Sequence, residues 1–273
     1  MERTESQPLE LSRYPLPISS ANRDAALKAA NRNQKGFRFA WLWEWAKVFP
    51  AAVLLFLIMK TVVVEAYKIP SGSMEHTLMV GDFLLVNKMV YGAEIPFSSQ
   101  HLPAVRSPKH GDVIVFEWPS DPTRNLVKRL VGLPGDTVAM SNGNLLLNGV
   151  MQKEPYVSHT EPGVDPTADE FSWQRSHVAL VANANLANNT TMVASDYHPT
   201  RNNWGPLVVP HNSFFVLGDN RDNSYDSRYW GFVPDSLLRG TPLVVYYSYS
   251  PDSTVTAPWI TRIRWSRLGG SID

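Results

Sequence analysis

Hydrophobic positions along this chain fall into two regimes, one long unbroken run near the start and many short runs after it. Residues 48–64 read VFPAAVLLFLIMKTVVV, with Lys60 as the only charge. As a helix rising 1.5 Å per residue, the run nearly crosses a hydrocarbon layer of about 30 Å, and extension to residues 41–66 completes the span. Pro50 falls in the first turn of the apolar run, where proline is tolerated, and Lys60 lies near its far end, where a long stem can snorkel. Trp41, Trp43 and Trp45 precede the run and Tyr67 follows it, a placement like that of interfacial aromatic belts. A buried core helix is the competing reading, and the length disfavours it.

Beyond this segment short apolar runs alternate with turn signals, which predicts a mainly β, antiparallel architecture. The strand candidates are Phe83–Val90, Asp112–Trp118, Leu126–Val131, Thr137–Met140, Asn144–Leu147, Ser213–Leu217 and Leu243–Tyr249. Asn142-Gly143 is a hairpin turn of the kind that needs two positive φ angles, and Asn148-Gly149 is a second candidate. Between residues 151 and 210 the composition shifts towards Asn, Thr, Pro and Ala, as expected of an inserted, smaller β-rich subdomain. The organisation that follows is an N-terminal segment (1–40), an anchor (41–66), a main domain in two pieces (67–150 and 211–273) and the insertion (151–210).

Charge changes this picture in two ways. With 25 Lys+Arg against 25 Asp+Glu the chain has no global basic field, which argues against nucleic acid as a partner. Locally, residues 23–47 carry six basic residues against two acidic ones, so the positive-inside rule leaves the N-terminus in the cytoplasm and sends everything after the anchor across the membrane. The absence of cysteine excludes disulfides, thiolate metal sites and a cysteine nucleophile together.

Three polar stretches carry the candidate chemistry. Residues 69–82, IPSGSMEHTLMVGD, place Gly72 between two serines after a proline, which makes either a plain surface loop or a turn that presents a hydroxyl. Residues 125–136, NLVKRLVGLPGD, set Lys128 between Leu126 and Leu130 on one strand face and Arg129 between Val127 and Val131 on the other. That lysine is an edge gatekeeper or a desolvated functional amine. Residues 218–234, GDNRDNSYDSRYWGFVP, crowd short polar side chains after the apolar FFVL, as a hydrogen-bonded network or a solvated loop would.

In this order, after an apolar helix, the three stretches resemble the sequence boxes of type I signal peptidases: PSGSM, then KR with VGLPGD, then GDNRDNS and DSR. GDFLLVNK and WGFVP extend the likeness, and the insertion is covered least. The resemblance implies the antiparallel β-sheet catalytic domain of that family. It implies a serine endopeptidase, without cofactor or metal, that removes signal peptides after small residues at −1 and −3. Ser73 would be the nucleophile, Lys128 its general base and Ser224 the group that orients the amine. The Ser73 N–H and the Ser71 hydroxyl would form the oxyanion hole. Ile69, Met74, Leu78, Leu84, Val115, Leu126 and Val127 would line shallow apolar pockets for the peptide, and Arg129, Asp219, Asp226 and Arg228 would form supporting ion pairs. The implied partners are preproteins, the bilayer and the protein export machinery, and the implied place is the outer (periplasmic) face of the cell (inner) membrane. For the lysine to act as base, burial must lower its pKa from about 10.4 by roughly 2 to 3.

Two departures stand out: His76 occupies a position where the family commonly has proline, and one membrane span is evident where some relatives have two. A Ser-His-Asp hydrolase is a rival reading, but no G-x-S-x-G elbow is present, and an S-x-x-K enzyme fails because position 76 is His. Metal hydrolysis lacks histidines at ligand spacing. The non-enzymatic alternative is an accessory protein of the same fold that has lost activity, which the intact set of Ser71, Ser73, Lys128 and Ser224 disfavours.

Overall fold

The computed structural model describes residues 19–58, 63–92, 102–178, 197–251 and 254–272. Contacts divide the chain between Leu57 and Ile58 into two units. The first unit holds α1 (Ser20–Ile58), which begins well before Trp41. Pro50 therefore sits in the helix interior and not in a first turn, so its missing N–H and its ring cost a backbone hydrogen bond there. The expected 41–66 anchor is also shortened at its far end, because residues 64–66 are strand. Lys60 lies outside the described residues. The apolar part of α1, residues 48–58, measures only about 16 Å, and among the described residues no helix is long and apolar enough to cross a membrane. Val48, Phe49, Leu54, Leu55 and Phe56 nonetheless present exposed side chains.

The second unit is built on a seven-stranded antiparallel sheet. In chain order its strands are β1 (Val64–Lys68), β2 (Asp82–Asn87), β3 (Val113–Trp118), β4 (Asp121–Gly132), β9 (Ser213–Leu217), β10 (Val233–Pro234) and β11 (Leu238–Ser248). In space they run β1-β2-β11-β3-β4-β9-β10. β3 explains why the sheet has two covered faces: its first four residues, VIVF, are all apolar and buried, and strand alternation sends them to opposite sides. Val113 and Val115 join a core with Ile69, Met74, Leu78, Leu84, Val86 and Val245. Ile114 and Phe116 join another with Leu130, Phe214, Val216, Val233 and Leu238.

A second, four-stranded sheet orders β5 (Thr137–Ser141), β6 (Asn144–Leu147), β7 (Val150–Met151) and β8 (Trp204–Val208) as β7-β6-β5-β8. Its hairpins turn at Asn142-Gly143 and Asn148-Gly149, all four residues with positive φ, as the dipeptides predict. The smaller sheet thus starts at Thr137 and takes from 151–210 only Met151 and β8. The described remainder of that insertion is mostly irregular, apart from a 3₁₀ helix at Asp169–Ser176. The shift in composition marks the long connection between strands, not the sheet.

Opposite the start of β2 the chain's far end is tied down. The Asp82 carboxylate, fully buried, accepts from Arg267 Nη2 at 2.6 Å, Arg264 Nη2 at 3.2 Å and Ser248 Oγ at 2.7 Å.

Candidate active site

After β1, Ile69 and Pro70 lead into a single 3₁₀ turn, Gly72–Met74. Ile69 N donates to Asp82 O at 2.8 Å and Gly81 N to Ile69 O at 3.0 Å, so both ends of this loop are fixed to the sheet. Met74 and Leu78 anchor it from below in the apolar core. Ser71 is extended and exposed, while Ser73 is 8% exposed. As the second residue of a one-turn helix, Ser73 has an N–H from the set that finds no intrahelical acceptor. His76, with φ 80, is in the left-handed region that a proline ring forbids, so the turn here is not the one a proline would set.

Lys128 comes from the middle of β4, where it pairs with Ile114. Strand alternation puts it on the face of Leu126, Leu130, Ile114 and Phe116, among apolar side chains. Its Nζ lies 2.6 Å from Ser73 Oγ, and the residue is 4% exposed. Burial lowers the amine from its ordinary 10.5 to about 8; Asp226 and Asp219 pull it back up and Arg228 pushes it further down. Neither carboxylate pairs with the amine, because each is held by a guanidinium.

Those guanidiniums organise the third stretch. Arg129 clasps Asp219 through Nε and Nη2, both at 2.8 Å, and Thr77 Oγ1 donates to the same carboxylate at 2.5 Å. Arg228 clasps Asp226 through Nε and Nη2 at 2.9 Å, and Gly218 N donates to Asp226 at 3.0 Å. Burial alone would raise the Asp226 carboxyl, yet Arg228 and the Gly218 N–H hold it below its usual range. The first pair ties the third stretch to β4, and the second closes a turn within it. Asn220 N donates to Ser73 O at 3.1 Å, which brings the loop against the serine turn. Gly218 stands between them, and only a missing side chain leaves room for Ser224 and the Ser73 carbonyl together. The Ser224 hydroxyl is buried and close enough to Asp226 to influence it, but it makes no well-formed hydrogen bond, to Lys128 or to any other group.

The expected pocket residues divide. Ile69, Met74, Leu78, Leu84 and Val115 gather in one core at 4% exposure or less, with Val127 packed beside them. Leu126 faces the other side of β4 and packs on the second core. Leu126 and Val127 are neighbours on a strand, so one apolar wall cannot contain both.

Residues 42–247 match the family model described as signal peptidase, peptidase S26. The chain belongs to the signal peptidase family. Proteins named Signal peptidase I from Pseudomonas fluorescens and Pseudomonas aeruginosa are each 35% identical over 233 residues, 81% of this chain and 78% of theirs. Signal peptidase I of Aquifex aeolicus is 34% identical over 218 residues, 72% of this chain and 80% of its own length. A crystal structure of a signal peptidase I from Enterococcus faecalis V583, 30% identical, covers 50% of this chain and 98% of that one, with a TM-score of 0.31.

For a signal peptidase family member, the sequence reading missed how much the insertion does. Arg221, 1% exposed, is clasped by Glu154 at 2.6 and 3.0 Å. The Tyr156 ring lies 3.7 Å from the Arg129 guanidinium. Ser158 bridges to Asn220, and Arg201 Nη1 donates to Asp222 O at 3.1 Å. Trp173 Nε1 and Gln174 Nε2 both donate to the Arg228 carbonyl. Glu154 and Tyr156 carry no local signal, since an acidic residue beside an aromatic one looks like any polar loop.

Proposed function

We propose that this chain is a signal peptidase I: a serine endopeptidase that cuts N-terminal signal peptides from exported preproteins after small residues at −1 and −3. Its membership of the signal peptidase family supports the peptidase class. The observation that carries the mechanism is the 2.6 Å approach of a buried lysine amine to a serine hydroxyl.

A lysine with a pKa of about 8 is neutral in a useful fraction of molecules near neutral pH. In that form Lys128 accepts the Ser73 proton as Oγ attacks the carbonyl of the −1 residue. The tetrahedral oxyanion is met by the Ser73 N–H and the Ser71 hydroxyl, each such donor contributing about 3 kcal/mol in comparable sites. The Lys128 ammonium then returns its proton to the leaving +1 amine, and an acyl-enzyme on Ser73 remains. Lys128, neutral again, takes a proton from water as that water attacks the ester, and returns a proton to the departing Ser73 Oγ, which frees the signal peptide. Ser224, whose buried hydroxyl is packed against Gly218 beside the Ser73 carbonyl, steers the amine towards Ser73. The clasped carboxylates of Asp219 and Asp226 keep the loop in place without trapping the ammonium in an ion pair.

The exposed apolar side chains of α1 support an anchoring role in the bilayer, with the cytoplasmic N-terminus that the basic residues 23–47 favour. Anchoring would let the enzyme meet membrane-tethered preproteins at high effective concentration. The test is to incubate the detergent-solubilised full chain with an exported preprotein and read the cut site by mass spectrometry. We expect cleavage after a small residue and none by Ser73→Ala or Lys128→Ala. An intact preprotein with the unaltered chain would sink the proposal.

A further inference from the structure

β3 pairs one side of β4 at Asp121 and from Asn125 to Arg129, with Pro122–Arg124 bulged between, whereas β9 covers the other side only at Arg129, Leu130 and Gly132. After Leu217 the chain that would continue β9 turns away into the 218–230 loop. Among the described residues, the edge of β4 from Asp121 to Lys128 is therefore open on that side, and it ends at the Ser73–Lys128 pair. Open edges accept extended peptides.

Beside this edge stands an aromatic corner. The Trp118 and Tyr225 rings meet edge to face at 6.1 Å, and the Arg124 guanidinium lies 5.2 Å over the Trp118 ring. The Tyr225 ring packs at a tilt against Tyr229, with centroids 5.0 Å apart, and Tyr229 against Phe171 at 4.8 Å, so the corner is braced from behind. Tyr225 remains 48% exposed although it directly follows the buried Ser224. It stands between the GDNRDNS and DSR stretches, and none of the site's hydrogen bonds described above involves its side chain.

We propose that Trp118, Arg124 and Tyr225 form a specificity subsite that holds an aliphatic or aromatic side chain of the signal peptide at about −5 to −7. The inference rests on the signal peptidase reading above, in which the peptide lies along β4 with its −1 carbonyl at Ser73. From Lys128 back to Asn125 the strand is regularly paired, about 10 Å, and Arg124 stands next to it at the start of the bulge. A peptide side chain level with Arg124 is thus four to six positions upstream of −1. On the face shared by Leu126, it meets rings and the flat side of a guanidinium, which favour apolar and π contacts over charge.

Two preproteins identical except at −7 to −5, with Leu-Leu-Leu in one and Ser-Ser-Ser in the other, decide the matter with the full-length detergent-solubilised protein. The expected result is a kcat/KM about five-fold higher for the leucine substrate, carried by KM. In Tyr225→Ala the ratio should fall to about one, while Tyr225→Phe retains it. A thermal melt of each variant identifies loss of folding, in which case Arg124→Gln, which alters an exposed side chain of the same corner, supplies the same comparison and should lower the ratio. A ratio unchanged in both Tyr225→Ala and Arg124→Gln overturns the subsite while leaving the peptidase reading intact. Failure of the unaltered protein to cut either substrate overturns both.

Discussion

A Cβ placed on Gly218 would stand 2.1 Å from the Ser224 hydroxyl oxygen. No side chain fits there, because Ser224 Cβ and the Ser73 carbonyl oxygen would each lie at 2.5 Å as well. Gly218→Ala should therefore separate the serine turn from the third stretch. We expect at least a hundred-fold loss of kcat, with destabilisation of about 1–3 kcal/mol in urea. Combining it with Ser224→Ala removes the oxygen but neither of the other two clashes, so the pair should not regain activity. Wild-type turnover by Gly218→Ala would show that the loop yields freely.

Lys128 makes both activity and stability depend on pH, and the signs agree. With Lys128 as the base proposed above, turnover requires the neutral amine, so kcat/KM should rise with pH through about 8. For stability, the unfolded chain holds its proton up to 10.5 while the folded one releases it near 8. The cost of burying the charge is thus full below pH 8 and disappears as pH rises towards 10.5, about 3 kcal/mol in all. Lys128→Met should be inactive yet more stable at pH 7, with a gain that shrinks at pH 10. Urea melts at the two pH values measure it, and a gain independent of pH would contradict the assignment.

Asp219 raises the pKa of Lys128, and Asp219→Asn should accordingly shift the acid limb of the kcat/KM profile to lower pH. It also leaves the Arg129 guanidinium buried without its counter-charge. Breaking such a pair costs about 3–5 kcal/mol, whereas Arg129→Met with Asp219→Leu should cost less than the two single changes added together. Equilibrium denaturation of the four proteins gives the coupling.

Glu154→Gln removes the clasp on Arg221 between the insertion and the third stretch, at 8% and 1% side-chain exposure. The expected loss is about 2–4 kcal/mol, with faster proteolysis near residues 154–161 and lower kcat. Unchanged proteolysis with reduced activity would mean that Glu154 acts on the site without holding the segment.

Leu55→Asp and Phe56→Asp place charge on the exposed apolar part of α1. Each should weaken bilayer association by about 2–3 kcal/mol, read as a fall in the fraction that floats with lipid vesicles.

All seven predicted strands lie where alternation and turn residues put them, because those signals are local. β1 was hidden, since Val64–Lys68 extends an apolar run that also suits a helix, and only pairing with β2 makes it strand. β8 was missed because Gly205-Pro206 interrupts its pattern. The meeting of Ser73 with Lys128 was legible only through the order of the three stretches, since contacts between residues 55 positions apart leave no mark in spacing. Glu154 with Arg221, 67 apart, had no such guide.

The clasp on Asp82 has a consequence for biosynthesis. Its guanidinium partners, Arg264 and Arg267, are added to the chain 182 and 185 residues after it. Until they leave the ribosome, the carboxylate beside the serine turn has neither cation, and closing so long a loop is a late event in folding. A nascent chain halted before Arg264 should therefore lack the clasp that fixes the 69–82 loop to the sheet.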